Sequence, residues 1–213
     1  MRPLASEVTL VPFTFMTAIH ADSWLSPAEL AALGLRACGT NVKISRLARI
    51  YSASVIEIGS DVRIDDFCIL SGGSGIRLGN FIHIAAYSAL YGAAGIEMMD
   101  FSGVSSRVTI YSESDDYSGR SLTNPTVPRE FRKGLERGAV RLEKHALIGA
   151  GSTLLPGVTV GEGAAVGAHS LVTKSCEPWT ISFGSPARRV GVRDRALLEL
   201  EAAFLAGRSK HVG

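Results

Sequence analysis

The amino-acid sequence predicts an all-β solenoid, a stack of triangular coils with short strands on three faces. An aliphatic residue returns at every sixth position over much of the 213-residue chain, 23 residues are glycine, and only 7% are aromatic. A period of six matches neither the helical repeat nor the two-residue alternation of a lone strand. Because few large rings are available, small and β-branched side chains must fill the core.

The downstream half of the chain carries the clearest series of hexads. Its hexad residues are Leu142, Ile148, Leu154, Val160, Val166 and Val172. The residue two positions before each of them is also small or aliphatic, so each short strand is expected to point two side chains inward. Three hexads make one coil, and stacked coils build a core that no coil forms alone.

The upstream half repeats this pattern in groups of three hexads that begin 20 residues apart. The inward residues there are Cys38, Ile44, Ile50, Ile58, Ile64, Leu70, Leu78, Ile84, Leu90, Met98, Val104 and Ile110. The two additional residues of each coil fall at one corner, in the glycine-rich runs 71–75 and 92–95. Glycines that directly follow an inward residue, such as Gly39 and Gly149, are expected at corners where a side chain would clash or where φ is positive.

Segments outside the coils are expected to cap them. We place an N-terminal cap at residues 1–37, the solenoid at 38–192, and a C-terminal helix and tail at 193–213. In the N-terminal cap, Ser26 and Glu29 have the spacing of a capping box, and Pro27 takes the first helical position. Near the other end, apolar residues recur at helical spacing. They are Ala196, Leu197, Leu200 and Phe204.

One insertion, residues 111–139, interrupts the hexads. A loop of this length within a regular scaffold is usually functional or disordered. The insertion contains Asp, Tyr, Asn and Pro residues, so we expect an ordered loop that takes part in function. Aromatic residues in it, Tyr111, Tyr117 and Phe131, are candidates for sugar contact together with Arg120.

Composition and charge exclude several classes of protein. A net charge of +2 argues against a nucleic-acid-binding surface. Three cysteines are too few and too far apart for a zinc quartet. Their odd number fits a reduced compartment better than a disulfide framework, which favours the cytoplasm. No stretch is apolar over the roughly 18 residues that span a membrane. The apolar segment 10–21 contains Pro12 and follows Glu7, and both features argue against a signal peptide.

An ordered series of motifs in the downstream half resembles the hexapeptide-repeat acyltransferases. The motifs run from Ile148 to Gly151, Leu155 to Gly161, Val166 to Ala168, Leu171 to Lys174, and Phe183 to Arg188. The similarity is to sugar O-acetyltransferases, those acting on galactosides and maltose and those of surface-polysaccharide synthesis. It implies a left-handed parallel β-helix, a homotrimer with active sites between subunits, and acetyl-CoA as donor.

The resemblance also implies which residues bind the donor and what the acceptor is. By similarity, CoA contacts are expected from Ala150, Ala168, Thr173, Lys174 and Arg188, the last two meeting its phosphates. No metal is expected. The first-choice acceptor is a hydroxyl of a sugar or glycan precursor, and the alternative is the amino group of a nucleotide-linked amino sugar.

This sequence differs from the family at the position of the usual catalytic base. Related enzymes carry a histidine in the inserted loop, whereas the corresponding stretch here reads Ser114-Asp115-Asp116-Tyr117. Asp115 therefore stands where the family has its histidine. The acceptor contact of the family matches Ala85, and Tyr117 and Asn124 are further candidates for substrate binding.

Three interpretations of the base remain open. In the first, His83 faces outward beside Ala85 and accepts the proton, with Asp115 or Asp116 orienting its imidazole. In the second, Asp115 is the base and needs a pKa raised by desolvation. In the third, an amine attacks without a strong base, and water or the carboxylates receive its proton.

Two further histidines and two other functions complete the hypotheses. His145 and His169 are predicted to face outward and are reserve candidates for the base. A γ-type carbonic anhydrase shares the solenoid but needs three histidines converging on zinc, two of them five residues apart, and no such pair occurs among residues 83, 145 and 169. A non-catalytic scaffold is the other competing function.

Overall fold

The protein is a parallel β-helix with an inserted loop and flanking helices, as the sequence predicts. A computed structural model describes residues 23–209, so the apolar segment 10–21 lies outside the described residues. Short strands form three sheets, one on each face of the solenoid. Each coil therefore contributes one strand to the first face, one to the second and one to the third before the next coil begins.

The strands of each face are stacked in coil order. The first face contains β1 (Ala37–Cys38), β4 (Ile56–Ile58), β7 (Ile76–Leu78), β10 (Ile96–Met98), β15 (Val140–Leu142) and β18 (Thr159–Val160). The second contains β2 (Lys43–Ile44), β5 (Arg63–Ile64), β8 (His83–Ile84), β11 (Gly103–Val104), β16 (Leu147–Ile148), β19 (Ala165–Val166) and β21 (Thr180–Phe183), with β22 (Arg188–Val192) antiparallel to β21. The third contains β3 (Arg49–Tyr51), β6 (Ile69–Ser71), β9 (Ala89–Tyr91), β12 (Thr109–Tyr111), β17 (Thr153–Leu154) and β20 (Leu171–Val172).

The remaining elements lie outside the three faces. They are helices α1 (Pro27–Ala32) and α2 (Leu197–Ser209), the hairpin of β13 (Glu113–Ser114) and β14 (Glu136–Arg137), and single 3₁₀ turns at Ala53–Val55 and Arg129–Phe131. The hairpin closes the base of the insertion. Met98 consequently pairs with Leu142 across it, and the stack continues in register.

The hexad residues form one continuous core, because each stacks on its counterpart in the next coil. Ile58 pairs with Leu78, and Leu78 pairs with Met98. Most hexad side chains are at most 2% exposed. Two in the first coil are not buried as predicted: Cys38 is exposed and Ile50 is half-buried. Among residues 23–209, no coil precedes them, and the short helix α1 covers this end only in part.

Three corners join the faces, and each stacks from coil to coil. The first corner connects the first and second faces at residues 39–42, 59–62, 79–82, 99–102, 143–146, 161–164 and 177–179. The second connects the second and third faces at 45–48, 65–68, 85–88, 105–108, 149–152 and 167–170. The third leads to the next coil at 52–55, 72–75, 92–95, 112–139, 155–158 and 173–175.

Glycines after inward residues are required by close approach of neighbouring coils. A Cβ added to Gly39 would lie 2.6 Å from the carbonyl carbon of Gly59, and φ of Gly39 is not positive. The left-handed corner positions are instead occupied mostly by larger residues, among them Phe67, Tyr87 and Phe101. Aromatic residues thus lie at corners rather than in the core, and Phe67 stacks on Tyr87 with ring centroids 4.9 Å apart.

Both flanking helices form, and α2 covers the first corner. The capping box of α1 is present, with Ser26 Oγ accepting from the backbone N–H of Glu29. In α2, the Glu201 carboxylate accepts from Lys144 Nζ at 2.6 Å and lies 2.9 Å from His145 Nε2. His145 thus points away from the coil interior, as predicted, but toward α2 rather than toward solvent. Its side chain is only 9% exposed because α2 folds back over that corner.

No helix of residues 23–209 is both long and apolar enough to cross a membrane.

Candidate active site

The second corner gathers several of the residues that the sequence singles out. One position beyond the registered strand pairs, Ala85, Ser105, Gly149 and Gly167 lie in successive coils, held by bonds such as Ala85 N–H to the Val104 carbonyl at 3.0 Å. The next residues in these coils include Ala150 and Ala168. Side chains this small leave the backbone of the corner accessible, as an extended ligand lying along it requires.

Sequence reasoning missed Ser105, which lies in the same row. Its side chain is half-buried, and its carbonyl oxygen accepts from Ser88 Oγ at 3.0 Å. Its own hydroxyl makes no hydrogen bond to another residue in the described part of the chain. The only signal in the sequence is that serine replaces the small apolar residue found at this place in the neighbouring coils.

His83 lies just before the second corner and is held by a carboxylate that sequence reasoning also missed. Asp65 Oδ2 lies 2.8 Å from His83 Nε2, and Asp65 Oδ1 accepts from Arg63 Nε at 2.6 Å. Burial raises the pKa of Asp65, but the hydrogen bonds from His83 and Arg63 lower it by more than burial raises it. The net shift of the pKa is therefore downward. Because an ionised Asp65 can only accept a hydrogen bond, the ring proton is assigned to Nε2. Nδ1 is then the ring nitrogen that makes no contact with Asp65.

In a single chain, the insertion does not reach His83. Asp115 and Asp116 follow the third corner, whereas His83 precedes the second, and the third face separates the two corners. The carboxylate that contacts His83 is Asp65. An interaction between His83 and the insertion therefore requires a second copy of the chain.

The two aspartates of the insertion have different environments. Asp116 organises the loop: it accepts from the backbone N–H groups of Ser118 at 2.7 Å and Ser121 at 2.9 Å. Hydrogen bonds from Ser118 and then Ser121 lower its pKa to about 2. Asp115 is half-buried, and Asn124 N–H reaches its carboxylate at 3.3 Å. Asp116 is thus committed to the loop, and Asp115 has more free acceptor capacity.

A cleft lies between the insertion and the third corner, with Asp115 on its wall. Tyr91 and Tyr111 also line it, their rings stacked with centroids 5.2 Å apart, and burial raises the pKa of Tyr111. Arg132 closes one side, its Nε donating to the Val127 carbonyl. The cleft offers aromatic, cationic and carboxylate groups together, which suits a polar ligand that carries a ring.

Other predicted contacts of the insertion lie outside this cleft. The Tyr117 side chain is 92% exposed. The Asn124 side chain accepts from the backbone N–H of Thr126 at 3.1 Å rather than facing the cleft. Phe131 is also exposed, in the 3₁₀ turn.

A basic cleft lies at the C-terminal end of the solenoid. It is lined by Lys174, Arg188 and Arg189 together with Thr180 and Ala187. Phe183, which lies over Gly167 at the last coil of the second corner, pairs with Arg188. The cleft therefore continues the row of Ala150 and Ala168. Thr173 is exposed nearby but does not line the cleft.

The reserve histidines do not converge with His83. His145 is covered by α2 at the first corner, and His169 is exposed at the second. Among the side chains of residues 23–209, no three His, Cys, Asp or Glu residues are arranged to hold a metal ion.

Hexapeptide coils, a corner of small residues and a basic cleft at its end together define a transferase of the hexapeptide-repeat class. The bacterial transferase hexapeptide (six repeats) family matches residues 139–174. A dTDP-4-amino-4,6-dideoxy-D-glucose acyltransferase of Escherichia coli is 44% identical over 183 residues, 85% of this chain and 95% of that protein. The chain therefore belongs to the hexapeptide-repeat transferases, and within them to the acyltransferases.

Solved structures agree with this assignment. AntD, an N-acyltransferase from Bacillus cereus, crystallised with dTDP and 3-hydroxybutyryl-CoA, is 47% identical, with a TM-score of 0.85 over 88% of this chain and 99% of AntD. A hexapeptide-repeat acetyltransferase of Vibrio cholerae, 17% identical with a TM-score of 0.54, shares the fold.

Proposed function

We propose that the protein transfers an acyl group from acyl-CoA to the amino group of a nucleotide-linked amino sugar, of the dTDP-4-amino-4,6-dideoxyhexose class. One observation carries the proposal. Two relatives that match over most of this chain are an acyltransferase of this sugar and an N-acyltransferase crystallised with it and CoA. The amine, the alternative acceptor in the sequence analysis, is thus better supported than a hydroxyl or a role in surface-polysaccharide synthesis.

The donor is proposed to lie along the second corner. Lys174 and Arg188 in the basic cleft are placed to meet the CoA phosphates, and Thr173 lies beside them. The pantetheine arm then passes Ala168 and Ala150, where backbone groups are accessible. This path brings the thioester toward Ser105, the next coil along the row.

The active site is proposed to be completed in a homotrimer. Apart from Arg49 in the first coil, the outward row of the third face is uncharged and half-buried: Ile69, Ala89, Thr109, Thr153 and Leu171. The first face instead shows alternating charges, suited to water. Copies that pack through their third faces bring the insertion of one chain toward the second corner of the next, since these features lie on opposite edges of that face.

Asp115 and Ser105 are the residues proposed to hold the acceptor amine. AntD was crystallised with substitutions at a serine and at an aspartate ten positions after it. In this sequence only Asp115 and Asp116 follow a serine by ten positions, Ser105 and Ser106 respectively. Asp116 is committed to the loop, which favours the pair Asp115 and Ser105.

The chemistry is aminolysis of a thioester. The amine nitrogen attacks the thioester carbonyl, the new C–N bond forms and the C–S bond breaks. An Asp115 carboxylate that accepts a hydrogen bond from the amine keeps its lone pair directed at the carbonyl, and it receives the proton or passes it through water to the departing thiolate. The Ser105 hydroxyl is placed to donate to the developing oxyanion or to orient the amine.

His83 is the second candidate for the base. One observation favours it, an Asp65 carboxylate that lies 2.8 Å from Nε2 and orients the ring. The same contact occupies Nε2, the ring nitrogen farther from the backbone, so only Nδ1 is left to accept a proton.

We also propose a cytoplasmic location, since Cys38, Cys68 and Cys176 are free thiols.

The acceptor class is tested by following acyl-CoA consumption with dTDP-4-amino-4,6-dideoxyglucose and with the matching sugar that carries a 4-hydroxyl. Turnover is expected with the amine only, and mass spectrometry is expected to find the acyl group on nitrogen. Galactosides and maltose serve as controls for the O-acetyl alternative. Faster turnover of any hydroxyl acceptor would contradict the proposal.

A further inference from the structure

We propose that Lys43, Arg63 and His83, an outward row on the second face, bind the diphosphate of the acceptor nucleotide. The inference rests on the proposed function and extends it to a site that the sequence analysis did not consider. Lys43 pairs with Arg63, and Arg63 pairs with His83, in three successive coils. Adjacent strands are about 4.8 Å apart, so the three side chains form a continuous strip that carries the positive charges of Lys43 and Arg63.

The strip points to solvent and ends abruptly. The alternate residues Ile44, Ile64 and Ile84 are fully buried, which directs the row outward. The next residue of the row is Gly103, and Leu147 follows it. Within this outward row, positive charge therefore lies only in the coils before Ser105, well separated from Arg188 and Arg189 of β22 at the far end of the face.

The charge of the strip is only partly neutralised. The Asp65 carboxylate accepts a hydrogen bond from Arg63 Nε and contacts His83 Nε2, and these two contacts fix the direction of both side chains. The Nη groups of Arg63 and the Lys43 ammonium have no hydrogen-bond or ion-pair partner in the described part of the chain. The guanidinium of Arg63 lies 5.2 Å from the Trp24 ring, which limits its movement further.

Neighbouring charges do not cancel the strip. The Asp66 carboxylate accepts from Ser45 Oγ, and Glu29 forms an ion pair with Arg46. On the first face the arrangement differs. There Arg77 lies between Glu57, at 3.4 Å, and Glu97, at 3.2 Å. A cation matched on both sides is typical of a solvated face, whereas the strip on the second face retains donors for an anion.

The position of the strip fits the acceptor. Donor contacts at Ala150 and Ala168 lie on the C-terminal side of Ser105, so an acceptor must approach from the N-terminal side. In a nucleotide-linked 4-amino sugar, ordinary bond lengths place the amine about 6–7 Å from the nearer phosphorus and about 9–10 Å from the farther one. One and two coil spacings, about 5 and 10 Å, separate Ser105 from the coils of His83 and Arg63.

The experiment measures binding of dTDP and of CoA to the full-length protein by calorimetry, with Arg63→Gln and Lys43→Gln. The dissociation constant for dTDP is expected to rise about tenfold in each variant, since each removes a charge-assisted contact. CoA binding is expected to change less than about twofold. Arg77→Gln, an outward arginine of the first face, is the matched control and is expected to bind both ligands as the wild type does.

Each other outcome is decisive. Arg63→Gln and Lys43→Gln proteins that bind dTDP within twofold of the wild type would overturn the strip and leave the acceptor class standing. Equal losses for dTDP and CoA would assign the strip to the donor and overturn the proposal. A wild-type protein that binds CoA but not dTDP would overturn the acceptor class and the strip together. Lys43→Gln guards against misfolding, because this side chain is exposed and has no hydrogen-bond or ion-pair partner among the described residues.

Discussion

The first and second corners of this solenoid are built by the same repeat, but α2 packs on the first corner and no described helix packs on the second. The first corner carries large side chains, with Phe81 stacked on Phe101 at 4.5 Å between ring centroids. Helix α2 covers that stack, and Phe204 meets Phe81 edge to face at 5.4 Å. From Ala85 onward the first two residues of the second corner are small in every coil, although Tyr87 and Arg107 occupy the left-handed places equivalent to Phe81 and Phe101. No described helix covers this corner. The residues at a corner, rather than the coil itself, decide whether the corner packs against a helix or leaves its backbone accessible to a ligand.

The difference has a physical basis in how the repeat buries its residues. Inward positions are determined by the coil and are aliphatic on every face. Corner positions are exposed unless another element covers them, so their side chains are free to differ. An aromatic stack provides a surface for a helix, whereas a row of Ala and Gly leaves backbone groups accessible to a ligand.

The largest expected effect comes from the residues proposed to act on the acceptor amine at the second corner, where Asp115 is supplied by a neighbouring copy of the chain. We expect Asp115→Asn to lower kcat by about 100-fold or more, as removal of a group that handles the proton does. His83→Ala is expected to raise KM for the nucleotide sugar with little change in kcat. Glu201→Gln at the first corner is the control and should retain kcat. The reverse pattern for Asp115 and His83 would make His83 the base.

Blocking the row of small residues tests the second corner as the donor path. Ala168→Trp places a large ring on this row and is expected to raise KM for acyl-CoA by about tenfold or more. Glu162→Trp is the matched variant, because Glu162 is exposed at the first corner of the same coil, six residues earlier. Steady-state kinetics of the two variants should differ clearly. Similar KM values would show that acyl-CoA does not use the second corner.

The first corner is expected to respond in stability rather than in activity. Phe204→Ala removes the ring that α2 places against Phe81 and Phe101. Because this ring is partly exposed, we expect a loss of about 1–2 kcal/mol and a fall in Tm of about 2–6 °C. Tyr117→Ala, at a side chain that is 92% exposed, is the stability control. An unchanged Tm in Phe204→Ala would mean that α2 does not stabilise the solenoid.

The smallest expected effect is the pH dependence of another contact between α2 and the first corner, that of Glu201 with Lys144 and His145. Hydrogen bonds from Lys144 and His145 hold the pKa of Glu201 below its usual 4.5, although burial raises it. A lowered carboxyl pKa stabilises the fold at pH values above 4.5, and the contribution disappears as the pH falls through the lowered value. The Tm difference between wild type and Glu201→Gln should therefore be about 1–3 °C at pH 7 and shrink below pH 4.5. A difference that is constant with pH would contradict the role of the charge.

Much of the fold could be predicted from the sequence, because the hexad is a local signal. The inward residues, the position of the insertion, the capping box of α1 and the presence of α2 all follow from spacing along the chain. The exceptions, Cys38 and Ile50, lie in the first coil, which has a neighbouring coil on one side only within the described residues. The burial of His145 could not be predicted for a related reason, since it depends on α2 returning from far along the chain.

Less of the candidate site could be predicted. The small residues Ala85, Ala150 and Ala168 do lie on one corner, and Lys174 with Arg188 lines one cleft. The partner of His83 could not be predicted, because Asp65 lies 18 residues earlier and meets it only through coil stacking. The separate environments of Asp115 and Asp116 depend on how the insertion folds, and a repeat says nothing about a segment that interrupts it.

The sequence by itself thus determined the coil, its core and the corner of small residues, since each is a pattern with a fixed period. Only the tertiary structure decided which corner α2 covers, that Asp65 orients Arg63 and His83, and that a positive strip lies before Ser105. These features join residues a coil or more apart, and their chemistry depends on the stacking of coils rather than on the order of residues within one.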